Sequence, residues 1–382
     1  MTVALLALLS DIPWETLHQR PHHLAGWLSG RVPVLWVEPA TLGRRAHWSV
    51  DQLGPALFRL TVPMLPLNAK STIVRRIARV CGRPGFIRWK VGVVQQYLFR
   101  RAVRSLGGGP IMFLVENFQL IHLTRGPGHS AVVFDYIDDA FGFTDYPAFV
   151  RDQWVEAVRR ADTVIATSPT LAGRIREAVP RDVIVVPNGV ECQRFVRNGT
   201  GKRPHDLPAG GSIAGYTGSV YPWLDFPLLE EALIAMPDLH FVLVGSAHPE
   251  VRPALERLGK YRNFRFVGPK PYADVPAYVQ SFDVGIIPFL RNKLTEGVNP
   301  VKLYEYLASG VPAVVTEFSD DLKALSGYVF VAGTPEEFVQ DLRKAVEAHR
   351  NADYRDTLEA FARSNDWDIR FREIAHHLPI PQ

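Results

Sequence analysis

The chain has 382 residues, 47% of them hydrophobic and 21% charged, with a formal net charge of +4 and two cysteines. That composition excludes a disordered or fibrous protein, and the length exceeds what one ordinary core holds, so two domains are expected. The cysteines, Cys81 and Cys192, lie far apart without metal-ligand spacing, which argues against a disulfide framework and makes a reducing cytoplasm the expected compartment.

The opening run MTVALLALLS is apolar, yet no basic residue precedes it and Asp11 ends it. It reads as a buried first strand rather than a signal peptide. No apolar run approaches the roughly 20 residues of a membrane-spanning helix. Short runs rich in Val, Ile and Phe follow at 32–39, 110–116, 130–139, 162–168 and 182–188, with helical stretches at 22–30 and 147–161 among them. The runs lack polar alternation, as parallel strands covered on both faces do. Residues 191–211, rich in Gly, Arg and Pro, read as a linker. The pattern then restarts, with strands at 212–218, 240–246, 263–269, 283–289, 312–318 and 328–333 and helices at 226–236 and 271–282. A last helix is predicted at 365–377, with Trp367, Phe371 and Ile374 on one face. The expected fold is α/β, with two Rossmann-like doubly wound parallel sheets facing across a cleft. The expected domains are 1–187 and 188–362, and residues 363–382 are expected to cross back onto the first.

Charge is distributed unevenly. From Gln52 to Val115 there is no Asp or Glu, while Arg59, Lys70, Arg75, Arg76, Arg79, Arg83, Arg88, Lys90, Arg100, Arg101 and Arg104 fall there. Ile73, Ile77, Phe86, Trp89, Tyr97 and Phe99 interleave with the cations. A basic amphipathic surface of this kind suits an anionic bilayer, and the simpler alternative is a solvated helical face. No nucleic-acid-binding motif is recognisable, so nucleic acid is not an expected partner.

The stretch TEGVNPVKLYEYLASGVPAVVTEF, 295–318, reads as loop, helix, turn and strand. Asn299 is the expected N-cap, Pro300 the first helical residue and Gly310 a left-handed cap. Val301, Tyr304, Leu307 and Ala308 are expected to face the core, and Lys302, Glu305 and Ser309 share another face. A helix N-terminus suits a diphosphate, Lys302 adds a cation beside it, and the Glu305 carboxylate can accept from both hydroxyls of a ribose. The same spacing also fits a plain solvent-facing Lys–Glu pair.

PVKLYEYLASGVPAVVT (300–316) resembles the donor-site helix of the retaining GT-B glycosyltransferases of family 4, also called glycosyltransferase group 1. VVPNGVECQRF (185–195) resembles that family's interdomain signature, and FVGPKPYADVPAYVQSFDVGIIPF (266–289) fits its pattern. DIPWETLHQRPHHLAGWLSGRVPVLWVEP (11–39) is similar to a bacterial envelope-polysaccharide branch, the teichuronic-acid-type enzymes. The resemblance covers nearly the whole chain. It implies retaining transfer from a UDP- or GDP-sugar to a hydroxyl of a glycan or lipid-linked acceptor, with no cofactor and no metal. By the same resemblance Glu305 binds the donor ribose. Gly218 and Ser219 in the 215–226 loop face the donor phosphates, and Tyr272 borders the base. Glu296, Asn299, Val301, Lys302 and Leu303 complete the donor set.

Two departures stand out. The 215–226 loop lacks the arginine and lysine that many members carry there, and offers Tyr221, Trp223 and Asp225 instead, so Lys302, Lys293, Arg291 or the helix dipole must balance the diphosphate. A second family glutamate is replaced by Gly297, with Glu296 one residue off. In the first domain Gln19, Arg20, His22 and His23 open a helix expected to hold an anionic acceptor or the donor phosphate. Asp138 or Asp139 is expected to orient or deprotonate the acceptor hydroxyl, the alternative being a turn or cap aspartate. Asp138, His22 and Lys302 are thus the expected catalytic groups. A GT-B epimerase or hydrolase, and a non-catalytic nucleotide-sugar-binding protein, are the competing readings.

Overall fold

The computed structural model describes residues 4–16, 18–40, 50–65, 76, 80, 85–126, 128–143, 146–197 and 203–378. Of the basic block, Lys70, Arg75, Arg79 and Arg83 lie outside the described residues, as do Ile73, Ile77 and Cys81. The chain divides into two units, Met1–Pro187 with Arg370–Gln382, and Asn188–Ile369.

The first unit is built on β1 (Leu5–Leu9), β2 (Val34–Pro39), β3 (Val50–Gly54), β4 (Leu57–Val62), β5 (Ile111–Val115), β6 (His129–Tyr136), β7 (Thr163–Ala166) and β8 (Ile184–Val185). Among the described residues they form one sheet in the order β3-β4-β2-β1-β5-β6-β7-β8. Every pairing is parallel except that of β3 with β4. Leu5–Leu9 are all buried, as a central strand covered on both faces requires. The apolar-run reading finds the central strands and misses β3 and β4, which carry half-buried Asp51 and Arg59 and exposed Gln52. Helices α1 (Arg20–Ser29), α2 (Gly85–Ser105), α3 (Ala148–Arg160) and α4 (Pro169–Ala178) belong to this unit.

The second unit holds β9 (Ser212–Thr217), α5 (Phe226–Ala235), β10 (Leu239–Val244), β11 (Phe264–Gly268), β12 (Val284–Ile287), α6 (Val301–Ala308), β13 (Ala313–Thr316), β14 (Val329–Ala332), α7 (Pro335–Ala348) and α8 (Ala352–Arg363). A last helix, α9, spans Trp367–His376, and its Phe371 ring lies 6.0 Å from Trp27 of α1. The strand order β11-β10-β9-β12-β13-β14 is wholly parallel and reverses direction between β9 and β12. In an open sheet of this order ligands bind beyond the carboxyl ends of the strands at that reversal.

Residues 191–211 are not a free linker where they are described. Cys192, Phe195 and Leu207 are buried in the core of the second unit, and Asp206 pairs with Lys270 at 2.7 Å. Burial also pushes the Cys192 thiol up to about 12, so it is inert. The predicted helix over 271–282 is shorter than expected, a 3-10 turn at Tyr272–Asp274 followed by a helical turn at Val275–Val279.

Helix α6 sits against a depression made by two glycines. Gly215 of β9 and Gly285 of β12 are register partners. A Cβ on Gly285 would lie 2.2 Å from the Tyr306 ring, and one on Gly215 would lie 2.2 Å from Phe282. The Tyr306 hydroxyl, fully buried there, accepts the N–H of Thr217 at 3.0 Å. One aromatic side chain thus fixes the helix to the end of the first strand. Gly285→Ala should destabilise the protein by about 1–3 kcal/mol through overpacking. Gly26→Ala on α1, where nothing lies within 4 Å of the added carbon, should be neutral or slightly stabilising. Denaturant melts of the two variants read the difference.

Candidate functional site

In the second unit the polar groups gather at the reversal point. Gly218 ends β9 with φ +129, a conformation that favours glycine, and a Cβ there would lie 3.0 Å from Cε of Lys302. Gly245 lets the Gly218 carbonyl approach so closely that a Cβ on it would lie 1.8 Å from that oxygen. The Lys302 ammonium stands 5.3 Å from the centre of the Tyr216 ring and 5.2 Å from that of Phe289. These rings hold the cation at the first turn of α6, beside the Gly218–Ser219 backbone. Tyr216 in turn donates its hydroxyl to the Ser219 carbonyl at 2.9 Å, which fixes the loop.

Glu305 lies one turn further along α6 and is 8% exposed. No side-chain hydrogen bond is formed by its carboxylate among the described residues. Burial pushes its pKa up to about 7, against the opposing pull of Lys302. A solvent-facing Lys–Glu pair is therefore not what the helix carries. Tyr272 stands near enough for Glu305 to hold its phenol proton more tightly, after burial, and Arg194 lies over its ring at 5.0 Å.

The start of α6 differs from expectation. The helix begins at Val301, and Pro300 is the extended residue before it, with φ −78 and ψ 116. Asn299 is not a cap because its side chain is used elsewhere. Its Oδ1 accepts the Asn188 N–H at 2.8 Å, and its Nδ2 donates to the Tyr304 hydroxyl at 3.2 Å. Asn188 returns a bond from Nδ2 to the Asn299 carbonyl at 2.6 Å, while its own buried Oδ1 has no partner among the described residues. The PNG turn at 187–189 thus braces the loop before α6, a role the sequence signature marks but does not explain. Leu303 is wholly buried and its N–H goes to the Pro300 carbonyl at 3.1 Å, so it has neither side chain nor N–H to offer a ligand. Val301 is half-buried at the first turn, and Glu296 lies in the 3-10 turn Thr295–Gly297, its carbonyl accepting from Ser319 Oγ at 2.6 Å. Gly310 takes φ +64 past the far end, as expected.

Of the cations expected to balance a diphosphate, Arg291 is drawn to Glu317 at 3.9 Å and Asp320 at 3.5 Å. Lys302 is the one held at the Gly218 loop. In that loop Asp225 caps α5 by accepting the Leu228 N–H at 3.0 Å, and Tyr221 stacks on Trp223 with ring centres 4.6 Å apart.

In the first unit, order also reverses between β1 and β5. The expected anion-binding arginine is consumed there. Arg20 is 2% exposed and grips Asp135 through Nε at 2.9 Å and Nη2 at 3.0 Å, and its Nη1 donates to the carbonyls of Val186 and Pro187. Breaking such a pair leaves a buried charge, so Arg20 holds the fold rather than a ligand. Glu116 at the end of β5 is buried with neither carboxyl oxygen partnered among the described residues. Burial, then Asp135 and Asp11, push its pKa up from the ordinary carboxylate value. Asp135 and Glu116 were not among the expected residues. Both lie inside or directly after apolar runs, where a carboxylate flanked by Phe or Val is the available signal.

His22 is likewise buried. Its Nδ1 accepts the Gln19 N–H at 3.3 Å, and its ring packs 5.2 Å from Trp14 and 4.9 Å from Trp36. Burial, reinforced by His18, pushes it down to about 4, so it is neutral at pH 7. It braces the start of α1, and its buried Nε2 forms no hydrogen bond among the described residues. His23 is half-buried beside His18. Asp139 takes the turn role, accepting from the Phe141 N–H and pairing with Arg174 at 2.6 Å, and Asp138 is half-buried just beyond β6.

Comparison with known proteins bears on the second unit above all. Residues 212–348 match the family model of glycosyl transferases group 1. A Bacillus subtilis protein, provisionally named teichuronic acid biosynthesis glycosyltransferase TuaH, is 28% identical over 238 residues. The match spans 60% of this chain and 60% of that protein. Among solved structures, the E. coli trehalose-6-phosphate protein bound with UDP-2-fluoro glucose superposes with a TM-score of 0.74 at 13% identity, over 99% of this chain and 100% of that one. The sucrose-phosphate synthase of Thermosynechococcus elongatus gives 0.74 at 15%, over 98% of each chain. Anabaena HepE in complex with UDP and glucose gives 0.67 at 15%, over 97% of this chain and 98% of that one. At these identities the likeness establishes the GT-B fold.

The depressed His22 has a consequence for stability. An unfolded histidine takes up a proton near pH 6.5 and the folded one only near 4, so stability is present above 6.5 and is lost as pH falls between them. Glu116 and Glu305, whose folded pKa values are raised, act in the opposite direction. The contrast between parent and His22→Gln isolates the histidine. In urea melts from pH 6.5 to 4 the variant should lose less stability than the parent.

Proposed function

We propose, from a chain whose residues 212–348 carry a glycosyl transferases group 1 domain, that it transfers a sugar with retention from a UDP- or GDP-sugar to a hydroxyl of a glycan or lipid-linked acceptor. The setting is bacterial cell-envelope or exopolysaccharide synthesis, in the cytoplasm at the inner face of the membrane, with the basic stretch 59–104 meeting anionic lipid. The observation that carries the reading is the pairing on α6 of a cation held against a glycine turn and, one turn on, a buried carboxylate that forms no side-chain hydrogen bond among the described residues. Complexes of similar folds with UDP favour UDP as the first nucleotide to test.

In this reading the diphosphate lies against the Gly218–Ser219 backbone and the N-terminus of α6. As the sugar–phosphate bond breaks, negative charge grows on the departing oxygen, and Lys302 with the helix dipole stabilises it. That electrostatic term is the chief catalytic contribution of the second unit, and it makes the missing basic pair of the loop less costly. Glu305 accepts from the two ribose hydroxyls and sets the nucleoside at a fixed distance from Lys302, with Tyr272 beside the base. The leaving phosphate oxygen takes the proton of the incoming hydroxyl on the same face, so no enzyme nucleophile is needed. Asp138 and His22 are the groups of the first unit assigned to the acceptor side.

Calorimetric titration with UDP tests this site. Glu305→Ala should weaken binding roughly 10- to 100-fold, the worth of hydrogen bonds to a charged acceptor. Lys302→Met should cut turnover more than it weakens UDP binding, because its charge is needed most as the bond breaks. Ribose hydroxyls bind the ionised carboxylate, and Glu305 ionises at about 7. Affinity should therefore rise about tenfold from pH 6 to pH 8 in the parent and stay flat in Glu305→Gln. Unchanged affinity in Glu305→Ala would remove the ribose assignment, and a folded protein that binds neither UDP nor GDP would overturn the reading.

A further inference from the structure

Helix α2 turns large apolar side chains to solvent. Phe86 is 61% exposed, Trp89 67%, Val93 49% and Tyr97 64%. Steps of three, four and four residues place them along one stripe of the helix. The opposite face is seated on its own unit through Gln95, Leu98, Phe99, Ala102 and Val103, all buried. The stripe is therefore not the packing face of the helix, and among the described residues nothing covers it. Aromatic side chains exposed in a row mark an interaction surface rather than ordinary scatter.

Charge decides what the surface meets. The helix carries Arg88, Lys90, Arg100, Arg101 and Arg104 and no carboxylate. Arg100, Arg101 and Arg104 are exposed. A row of rings flanked by cations on a helix of 21 residues fits a surface that is apolar beneath and anionic on top. A cavity of about 450 Å³ opens against the same stripe, with Trp89 and Val93 in its wall. Met64, Leu65 and Phe149 line it further, and the buried Nε2 of His122 and Oε1 of Gln153 have no partner among the described residues. It thus offers both apolar walls and hydrogen-bonding atoms, the combination found at the boundary of headgroups and acyl chains.

We infer that α2 is the docking face for an anionic phospholipid bilayer, with Phe86, Trp89, Val93 and Tyr97 entering the headgroup boundary and Arg100, Arg101 and Arg104 engaging lipid phosphates. This narrows the membrane contact proposed above to one helix, and it rests on that placement but not on the sugar chemistry. No helix among the described residues is long and apolar enough to cross a membrane, so the contact lies in the plane of the surface.

Sedimentation with vesicles tests it. The parent should bind vesicles of phosphatidylcholine mixed with phosphatidylglycerol at least about tenfold more tightly than vesicles of phosphatidylcholine alone, and added salt should weaken the difference. The combined variant Phe86→Ser, Trp89→Ser, Tyr97→Ser and the combined variant Arg100→Glu, Arg101→Glu should each lose about tenfold or more of that binding. Both should keep the parent's melting temperature and its UDP titration, since every substituted side chain is exposed. Loss of UDP binding in the parent would strike the proposed function and leave this inference standing. Equal binding to both vesicle types, no binding, or variants that bind as the parent does would overturn it. So would ring substitutions that split a dimer in solution without changing vesicle binding, because the stripe would then belong to a second copy of the chain.

Discussion

Helix α6 reaches its sheet because Gly285 has no side chain where the Tyr306 ring lies, and its register partner Gly215 makes the same room for Phe282. That close approach lets the Tyr306 hydroxyl take the Thr217 N–H, so the helix and the end of β9 are tied by a buried hydrogen bond. Everything proposed for the second unit depends on it. Lys302 and Glu305 are placed by the same helix, and Gly218 follows Thr217 directly. Were α6 lifted by the thickness of one methyl group, the cation would leave the rings that hold it and Glu305 would meet water.

The two units treat buried charge in opposite ways. In the first, Arg20 is saturated by Asp135 and two carbonyls, and burial with Asp135 and Asp11 pushes the nearby Glu116 pKa upward. That arrangement holds strand ends together and asks nothing of a ligand. In the second, Glu305 is buried with no compensating hydrogen bond among the described residues, and burial brings its pKa near neutrality. A carboxylate left in that state is stabilised by any molecule that brings it two hydroxyl donors. The cost of desolvating Glu305 is thus already met in the folded chain, which favours a preorganised site.

In loop 215–226 aromatic residues order the turn. Tyr216 positions the Ser219 carbonyl and helps confine Lys302, while Tyr221 and Trp223 stack on each other. With no basic pair in the loop, the cation held there among those expected is Lys302, confined by rings and a glycine turn. Arg291, another of the expected cations, is drawn off by Glu317 and Asp320.

The apolar runs by themselves determined the parallel strands of both sheets, because a strand buried on both faces has no freedom to be polar. Composition likewise determined that α2 would be basic and free of carboxylates, and helical spacing put Lys302 and Glu305 within a turn of each other. The half-exposed hairpin β3–β4 escaped that reading, since its residues satisfy only one apolar face. What only the tertiary structure decided is which polar side chains are already committed. Arg20, Asn299 and Asp139 carry the residue types of ligand-binding groups, yet each is consumed by partners as far as 167 residues away in sequence. Glu305 has the same acidic chemistry and no such partner. Spacing along a chain records what a side chain is able to bind, and the three-dimensional fold determines whether anything else has bound it first.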